Sequence, residues 1–254
     1  MIHNNFRNDL INGVTKFGTW TMLPSSFVVD VIAQTNIDFV IIDMEHGTIT
    51  FETAEEMVRA AQLYGCQPII RVGNDLENTI LHALETNCHA IMIPHVSNAQ
   101  TAEKIVQYCK YYPEGKRGMS PYTRCHNYTH EFFVETIKEN NEKTLVGVLV
   151  EGVEGIKNLN EISETVGIDL IYLGMYDISQ SVGFPGQLEH PEVVKQVDIC
   201  LKIILAKGKV AGTFARDIKS AKKFKDMGFG FIAFVADSYS IHKFYNDCVV
   251  EFNQ

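Results

Sequence analysis

The sequence lacks the features that would place a protein in a membrane or on a nucleic acid. No apolar stretch reaches the roughly 18 residues that a membrane span requires, and residues 1–6 have no apolar core of the kind found in signal peptides. Basic residues are outnumbered, with 22 Lys and Arg against 31 Asp and Glu and a net charge of -9, and no basic run is present to bind phosphates. We therefore expect a cytoplasmic protein with no membrane and no nucleic acid as partner.

Cysteine spacing and glycine usage exclude further classes of protein. Neither a CxxC pair nor any paired spacing occurs among the six cysteines, which are Cys66, Cys88, Cys109, Cys125, Cys200 and Cys248. Zinc sites and disulfide frameworks both need such spacing, so we expect reduced side chains that serve in packing. A Gly-rich phosphate-binding turn is also missing after the first predicted strand, where Met22-Leu23-Pro24-Ser25-Ser26 stands instead.

Short apolar runs alternate with amphipathic segments along the whole chain. Phe39 to Ile42 and Pro68 to Val72 are typical of buried parallel strands, while Thr53 to Tyr64 has apolar residues three and four apart, as a helix does. Eight strands alternating with helices at a repeat of about 25 residues predict a (β/α)8 TIM barrel with parallel strands. With no break in composition, we expect one barrel domain over residues 1–254. A doubly wound open sheet is the alternative fold, and the missing Gly-rich turn counts against it.

Polar side chains stand at the carboxyl ends of several predicted strands. They are Asp43, Glu45 and His46 after the second strand, Arg71 on the third, Glu151 after the fifth and Asp177 after the sixth. Because the carboxyl ends of barrel strands meet at one rim, these residues should lie close together. Carboxylates without cysteine suit a hard divalent cation such as Mg²⁺ or Mn²⁺, and an arginine beside them would hold an oxyanion.

Each of these residues also has a purely structural interpretation. Asp177 could cap the helix that follows it, and Arg71 could be an ion-pair partner at the rim. The recurrence of polar ends on four strands favours a shared site, because helix capping does not require it. The remaining histidines have no metal-like spacing to a second ligand, so we expect them at the surface or in packing. They are His3, His82, His89, His95, His126, His130, His190 and His242.

The chain resembles the metal-dependent pyruvate aldolases of the HpcH/HpaI family, which act on 2-keto-3-deoxy sugar acids and 4-hydroxy-2-oxo acids. The resemblance extends over nearly the whole chain in the family's order and spacing. The matching segments are Gly18-Thr19-Trp20, Ile41-Ile42-Asp43-Met44-Glu45-His46, Pro68-Ile69-Ile70-Arg71-Val72, Ile93-Pro94-His95-Val96-Ser97-Asn98-Ala99, Tyr112-Pro113-Glu114-Gly115-Lys116-Arg117-Gly118 and the strand ends at Glu151 and Asp177.

The resemblance implies a role for each matching residue. Glu151 and Asp177 would hold a divalent metal, Mg²⁺ or Mn²⁺ with Co²⁺ as a further candidate. His46 would be the general base, with Asp43 orienting it or pairing with its charge, and Arg71 would stabilise the pyruvate enolate. The implied reaction cleaves or forms a 4-hydroxy-2-oxo acid, with pyruvate or a related 2-oxo acid and an aldehyde as the small-molecule partners, through a metal-stabilised enolate.

An oligomer is also implied. Hexamers built from trimers, with a C-terminal helix exchanged between subunits, are usual in the family, and we expect a homo-oligomer, either a trimer or a hexamer. Glu85 matches an acidic position that approaches the active site of a neighbouring subunit, with Glu here where Asp is usual.

Two positions near the implied substrate depart from the family pattern. Members have Gly-Pro-Ala-Asp or Gly-Pro-Asn-Asp where this chain has Gly174-Met175-Tyr176-Asp177, and we expect Gly174, Met175 and Tyr176 to contact the substrate. Members also have Gln two residues before the metal-binding Glu, where this chain has Leu149. Both changes would alter how a 2-oxo acid binds.

A long aperiodic segment, Tyr111 to Thr129, is expected to form an ordered loop that selects the aldehyde, with Arg124 as a candidate substrate contact. An aldolase is therefore our first hypothesis. The alternatives are a divergent lyase or hydrolase that keeps the metal and the enolate, and a ligand-binding barrel whose site has closed. A coenzyme A ester lyase is a further alternative, although the sequence has no basic signature for the nucleotide phosphates.

Overall fold

Eight parallel strands close into a barrel in the computed structural model, which describes residues 5–254. Each strand pairs with the next in sequence and the first pairs with the last, so the predicted (β/α)8 fold is confirmed. The strands are β1 Lys16–Thr21, β2 Phe39–Asp43, β3 Gln67–Arg71, β4 Ala90–Ile93, β5 Leu145–Val150, β6 Leu170–Leu173, β7 Val210–Ala215 and β8 Phe231–Ala236. His3 and most of the segment considered as a signal peptide lie outside the described residues.

Helices lie between successive strands and cover the outside of the barrel, with one further helix before β1 and one after β8. They are α1 Phe6–Ile11, α2 Ser26–Ala33, α3 Phe51–Leu63, α4 Glu77–Glu85, α5 Ala99–Cys109, α6 Phe133–Lys143, α7 Gly152–Lys157, α8 Leu159–Glu164, α9 Met175–Ser181, α10 Pro191–Ala206, α11 Ile218–Met227 and α12 Asp237–Phe252, with a 3-10 turn at Arg124–His126. None of the helices within residues 5–254 is both long and apolar enough to cross a membrane.

Alternate side chains of each strand point into the barrel and out toward the helices. Phe39 and Ile41 of β2 pack inside the barrel, whereas Val40 and Ile42 pack against the surrounding helices. Both faces of the strand are therefore buried, which explains why it reads as a continuous apolar run. Gly18 of β1 makes room for this packing, because a Cβ at that position would lie 2.2 Å from the ring of Phe39.

The N-terminal helix α1 is an element that the sequence analysis did not predict. It is only six residues long, and its apolar side chains Phe6 and Leu10 join the cluster inside the barrel. The ring of Phe6 meets that of Phe39 edge-on, with centroids 5.9 Å apart. A helix of this length has too few turns to show a clear period, so only the barrel that it packs against reveals its role.

The C-terminal helix α12 buries little of its apolar surface within the chain. Phe244, Tyr245 and Phe252 are 63%, 65% and 90% exposed, and within this helix Asp237 is the one buried residue. Its carboxylate accepts hydrogen bonds from the main-chain N–H groups of Met22 and Leu23, at 3.0 and 3.2 Å, which fixes the loop after β1. Exchange of α12 between subunits remains a prediction.

Candidate active site

An ion pair between Asp43 and Arg71 lies at the carboxyl ends of β2 and β3. The register of the two strands places these residues opposite each other, and Arg71 Nε donates a hydrogen bond of 2.9 Å to Asp43 Oδ1. The same carboxylate oxygen accepts the main-chain N–H groups of Glu45 and His46, at 3.0 and 3.3 Å. Asp43 is 1% exposed, so a single buried carboxylate holds both the arginine and the turn after β2.

Arg71 is fixed on two further sides. Its guanidinium lies 4.3 Å from the ring centroid of Trp20, which points inward from β1, and its Nη1 lies 3.1 Å from Glu45 Oε2. Ion pairing and the aromatic face together leave the arginine few alternative positions. The result is a preorganised cation at the rim of the barrel, as an oxyanion-stabilising group requires.

His46 is placed at the rim but not in the way expected from the sequence. Its side chain is exposed and makes no hydrogen bond within residues 5–254, so it is free to meet a substrate. Asp43 contacts the main-chain amide of His46 rather than its imidazole. The expected charge pair between Asp43 and the His46 side chain is therefore wrong for this chain, because the inward-pointing carboxylate is already engaged by Arg71.

His95 is exposed, as expected for a surface residue, but it also joins the rim, so the prediction that it has no role there is wrong. It follows β4, and its Nε2 lies 2.9 Å from Glu45 Oε1 while its Nδ1 lies 2.8 Å from Glu151 Oε2. The imidazole thus bridges two carboxylates from different strand ends. Spacing along the chain could not show this, since both partners come from elsewhere in the barrel. The position after a strand was the available signal.

Glu151 and Asp177 approach each other across Gly174. A Cβ on Gly174 would lie 2.7 Å from Asp177 Oδ2 and 3.4 Å from Glu151 Cγ, so only glycine leaves both carboxylates their present positions. Burial raises the pKa of Glu151, and the nearby charges of His95 and Arg71 oppose this effect. The negative charges of Asp177 and Glu45 raise the pKa of Glu151 further.

The donor set fits a divalent metal with oxygen ligands. Glu45 Oε2 is buried and has no hydrogen-bond partner among the described residues, although Arg71 Nη1 lies near it. Within residues 5–254 no three His, Cys, Asp or Glu side chains already surround a common point as metal ligands. Two carboxylates with a third nearby suit a cation that keeps open positions for water or substrate.

The floor of the site is apolar, with one hydroxyl that the sequence analysis missed. Leu149 and Tyr172 point inward and lie side by side in the register of β5 and β6. The Tyr172 hydroxyl is buried without a hydrogen-bond partner in the described chain, although its ring meets Trp20 edge-on at 5.8 Å between centroids. Burial raises the pKa of Tyr172, so the phenol stays protonated and can donate.

The first turn of α9 presents one of its two large side chains to solvent. Tyr176 is 53% exposed, whereas Met175 is 5% exposed and packs in the core between the barrel and its helices. The expected substrate contact by the Met175 side chain is not seen, because the side chain points away from the barrel interior. Met175 also borders a cavity of about 550 Å³ between α10 and α11, with Lys219 and Lys223 at its edge.

Arg124 and Glu85 lie away from this rim. Arg124 donates to the carbonyl oxygen of Thr86 and, at 2.8 Å, to Gln62 Oε1, near the carboxyl ends of α4 and α3. Barrel helices run antiparallel to the strands, so these ends lie at the opposite face, and Arg124 does not contact the site of its own chain. The prediction that Arg124 contacts the substrate is therefore wrong for the site of its own chain. Glu85 pairs with the buried Arg117 at 2.8 Å.

Comparisons with known proteins agree on one family. Residues 16–243 match the model of the family described as HpcH/HpaI aldolase/citrate lyase. Over 245 residues the chain is 30% identical to a 2-keto-3-deoxy-L-rhamnonate aldolase of Salmonella gallinarum (strain 287/91 / NCTC 13346), covering 94% of this chain and 89% of that protein.

Two solved structures have a similar fold. Citrate synthase SbnG has a TM-score of 0.88 at 29% identity, covering 98% of this chain and 97% of that one. A HpcH/HpaI aldolase/citrate lyase family protein from Burkholderia cenocepacia J2315 has a TM-score of 0.92 at 23% identity, covering 99% of this chain and 100% of that one. The second likeness concerns the fold alone.

Proposed function

Because the chain belongs to the HpcH/HpaI aldolase/citrate lyase family, we propose that it is a divalent-metal-dependent aldehyde-lyase that cleaves a 4-hydroxy-2-oxo acid into a 2-oxo acid and an aldehyde, or joins them. The aldolases among its relatives are named for 2-keto-3-deoxy-L-rhamnonate, so a 2-keto-3-deoxy sugar acid is the substrate class to test first. The observation that carries this proposal is the convergence of Arg71, Glu45, Glu151 and His95 at one rim.

In this proposal the described residues divide the work of a retro-aldol reaction. Glu151 and Asp177 would hold the metal, which supplies Lewis-acid stabilisation of the negative charge that develops on the 2-oxo oxygen. Arg71, fixed by Asp43 and Trp20, faces the same charge and stabilises it without having to reorganise. His46 removes the proton of the C4 hydroxyl, and the C3–C4 bond then breaks to release the aldehyde. The enolate that remains takes up a proton at C3 and becomes the 2-oxo acid.

The experiment measures pyruvate release from 2-keto-3-deoxy-L-rhamnonate with Mg²⁺, Mn²⁺ or Co²⁺, with the products identified by NMR. We expect release that EDTA abolishes and added metal restores. Glu151→Gln should remove metal dependence together with activity, while Lys202→Gln, on the exposed side of α10, should leave both unchanged. Failure of the wild-type protein to release pyruvate or an aldehyde from any 4-hydroxy-2-oxo acid tested would contradict the proposal.

We further propose that the chain acts as one barrel domain within a cytoplasmic homo-oligomer, a trimer or a hexamer. The exposed aromatic side chains of α12 support this, because Phe244, Tyr245 and Phe252 would be covered by a neighbouring subunit. In such an assembly Glu85 would reach the site of a neighbour. Sedimentation of the full chain and of a Phe244→Glu variant tests this proposal, and a monomeric wild-type protein would contradict it.

A second candidate is carbon–carbon bond formation of the citrate synthase type. Citrate synthase SbnG is 29% identical to this chain, and the cavity beside Met175 has apolar walls formed by Leu188, Val194 and Phe224 with lysines at its edge. The apolar walls suit the apolar arm of a coenzyme A thioester, and the lysines lie beside the carboxylates of Glu189 and Asp217. Release of free thiol and citrate from acetyl-coenzyme A and oxaloacetate, without cleavage of the sugar acid, would favour this reaction over the aldolase.

A further inference from the structure

We propose that His95 is a third protein ligand of the divalent metal, bound through Nδ1, and that Glu45 orients it by accepting a hydrogen bond from Nε2–H. This inference rests on the metal site of the proposed function and extends it. It assigns a ligand that lies outside the carboxylate pair Glu151 and Asp177, and it names the class of metal that this ligand favours.

The separation of the His95 and Glu151 donor atoms fits two ligands of one ion. Two neighbouring ligands at about 2.1 Å from a metal, at a right angle, lie about 3.0 Å apart. The distance from His95 Nδ1 to Glu151 Oε2 is 2.8 Å. Small movements of the two side chains would therefore exchange their direct contact for two bonds to a shared cation.

Glu45 gives His95 the support that metal-binding histidines usually have. The ring nitrogen that does not bind metal commonly donates its N–H to a carboxylate, which fixes the ring and its tautomer. Here Nε2 lies 2.9 Å from Glu45 Oε1, and Glu45 is in turn held by Arg71. Nδ1 is thereby left to face Glu151, on the side where the metal would lie.

The backbone conformation of His95 also indicates a functional position. Its φ is +58°, a left-handed conformation that costs a non-glycine residue free energy. The side chain is also 69% exposed, so packing does not explain why it is held in this way. A strained backbone that holds an accessible imidazole against two carboxylates is typical of a functional position.

A nitrogen ligand changes which metals the site prefers. Carboxylate and water ligands suit Mg²⁺ and Mn²⁺, whereas imidazole favours the later divalent ions of the first transition row. We therefore expect the chain to bind Co²⁺ more tightly than Mg²⁺ by a margin that depends on His95.

The test compares wild-type protein with two matched variants, His95→Asn and His46→Asn. Asparagine tolerates the left-handed backbone, so His95→Asn should fold, and circular dichroism checks this. Pulsed EPR of the Mn²⁺-loaded protein reports directly on imidazole nitrogen, and calorimetry gives affinities for Co²⁺ and Mg²⁺. We expect a nitrogen coupling in wild type and His46→Asn but not in His95→Asn. Co²⁺ affinity should fall roughly 10- to 100-fold in His95→Asn, with a much smaller change for Mg²⁺.

The possible results separate this inference from the proposed function. Metal binding without nitrogen coupling, or a coupling that persists in His95→Asn, would overturn the role of His95 and leave the carboxylate site intact. An equal loss of Co²⁺ and Mg²⁺ affinity would also overturn it, because that pattern indicates a general disturbance of the site. If the wild-type protein bound none of the three ions, the metal dependence of the proposed function would fail with it.

Discussion

Replacement of Asp43 by Asn tests how the rim is held together. Asp43 is 1% exposed and accepts from Arg71 and from the main-chain N–H groups of Glu45 and His46. Asn keeps the shape and one carbonyl oxygen, but its NH2 group faces the guanidinium and cannot accept from it. The substitution therefore leaves a buried cation with part of its compensation removed.

The loss of unfolding free energy can be estimated from the contacts that Arg71 keeps in the variant. Loss of one partner from a buried ion pair costs about 3 to 5 kcal/mol. Arg71 retains Glu45 Oε2 at 3.1 Å and the face of Trp20, so we expect a value near the lower end, about 3 kcal/mol. For a chain of this size, that corresponds to a fall of about 6 to 12 °C in Tm.

The assay is thermal unfolding in EDTA at one fixed protein concentration, because metal binding and subunit assembly both shift Tm. The control variant, Lys202→Gln, removes an exposed ion pair with Asp198 on α10 and should change stability by roughly 0 to 1 kcal/mol. Asp43→Asn should also lower the rate of retro-aldol cleavage by about 100- to 1000-fold, because Arg71 loses its fixed position. A Tm for Asp43→Asn as close to wild type as that of the control would refute the reasoning.

Three further substitutions probe the site and its surroundings. Gly174→Ala should weaken metal binding measured by calorimetry, since its Cβ would lie 2.7 Å from Asp177 Oδ2; unchanged affinity would contradict the placement of that carboxylate. Burial lowers the pKa of His89 to about 4 from 6.5. As the pH falls, His89 therefore takes up a proton in the unfolded chain before it does so in the folded chain, and the free energy of unfolding decreases. In urea titrations, His89→Asn should reduce this decrease between pH 6.5 and pH 4 by about 2 to 3 kcal/mol. An equal pH dependence in both proteins would argue against this burial effect. Thr213→Val should raise the unfolding free energy by about 1 kcal/mol, because its buried hydroxyl has no partner in the described chain; a destabilised variant would point to an unrecognised role for the hydroxyl.

The sequence predicted the barrel because both faces of its strands are buried. The run from Phe39 to Ile42 is apolar throughout, as a strand between a barrel core and a helical layer must be. The apolar runs also mark where each strand ends, and they thereby identified the polar residues that follow. Of these, Arg71 and Glu151 do lie at one rim. Elements too short to show a period, such as α1, gave no comparable signal.

Contacts between strand ends could not be predicted from the sequence. Asp43 is close to His46 along the chain, but the register of β2 and β3 places Arg71 opposite Asp43. The side chain of Asp43 therefore pairs with Arg71 on the neighbouring strand. His95 has no metal-like spacing because its partners come from other strands. Arg124 lies in a long loop whose path could not be traced from its composition, and that path carries it to the far ends of α3 and α4.

Exchange of the methyl protons of pyruvate for deuterium is the most direct test of the central claim, because it requires an enolate but no aldehyde. In D2O with Mg²⁺, proton NMR should show the methyl signal of pyruvate decaying in the presence of the wild-type protein. EDTA should stop the decay, and Arg71→Lys should slow it, since a lysine does not reproduce the bidentate contact with Asp43. Exchange no faster than in protein-free buffer, with Mg²⁺, Mn²⁺ or Co²⁺, would contradict the account.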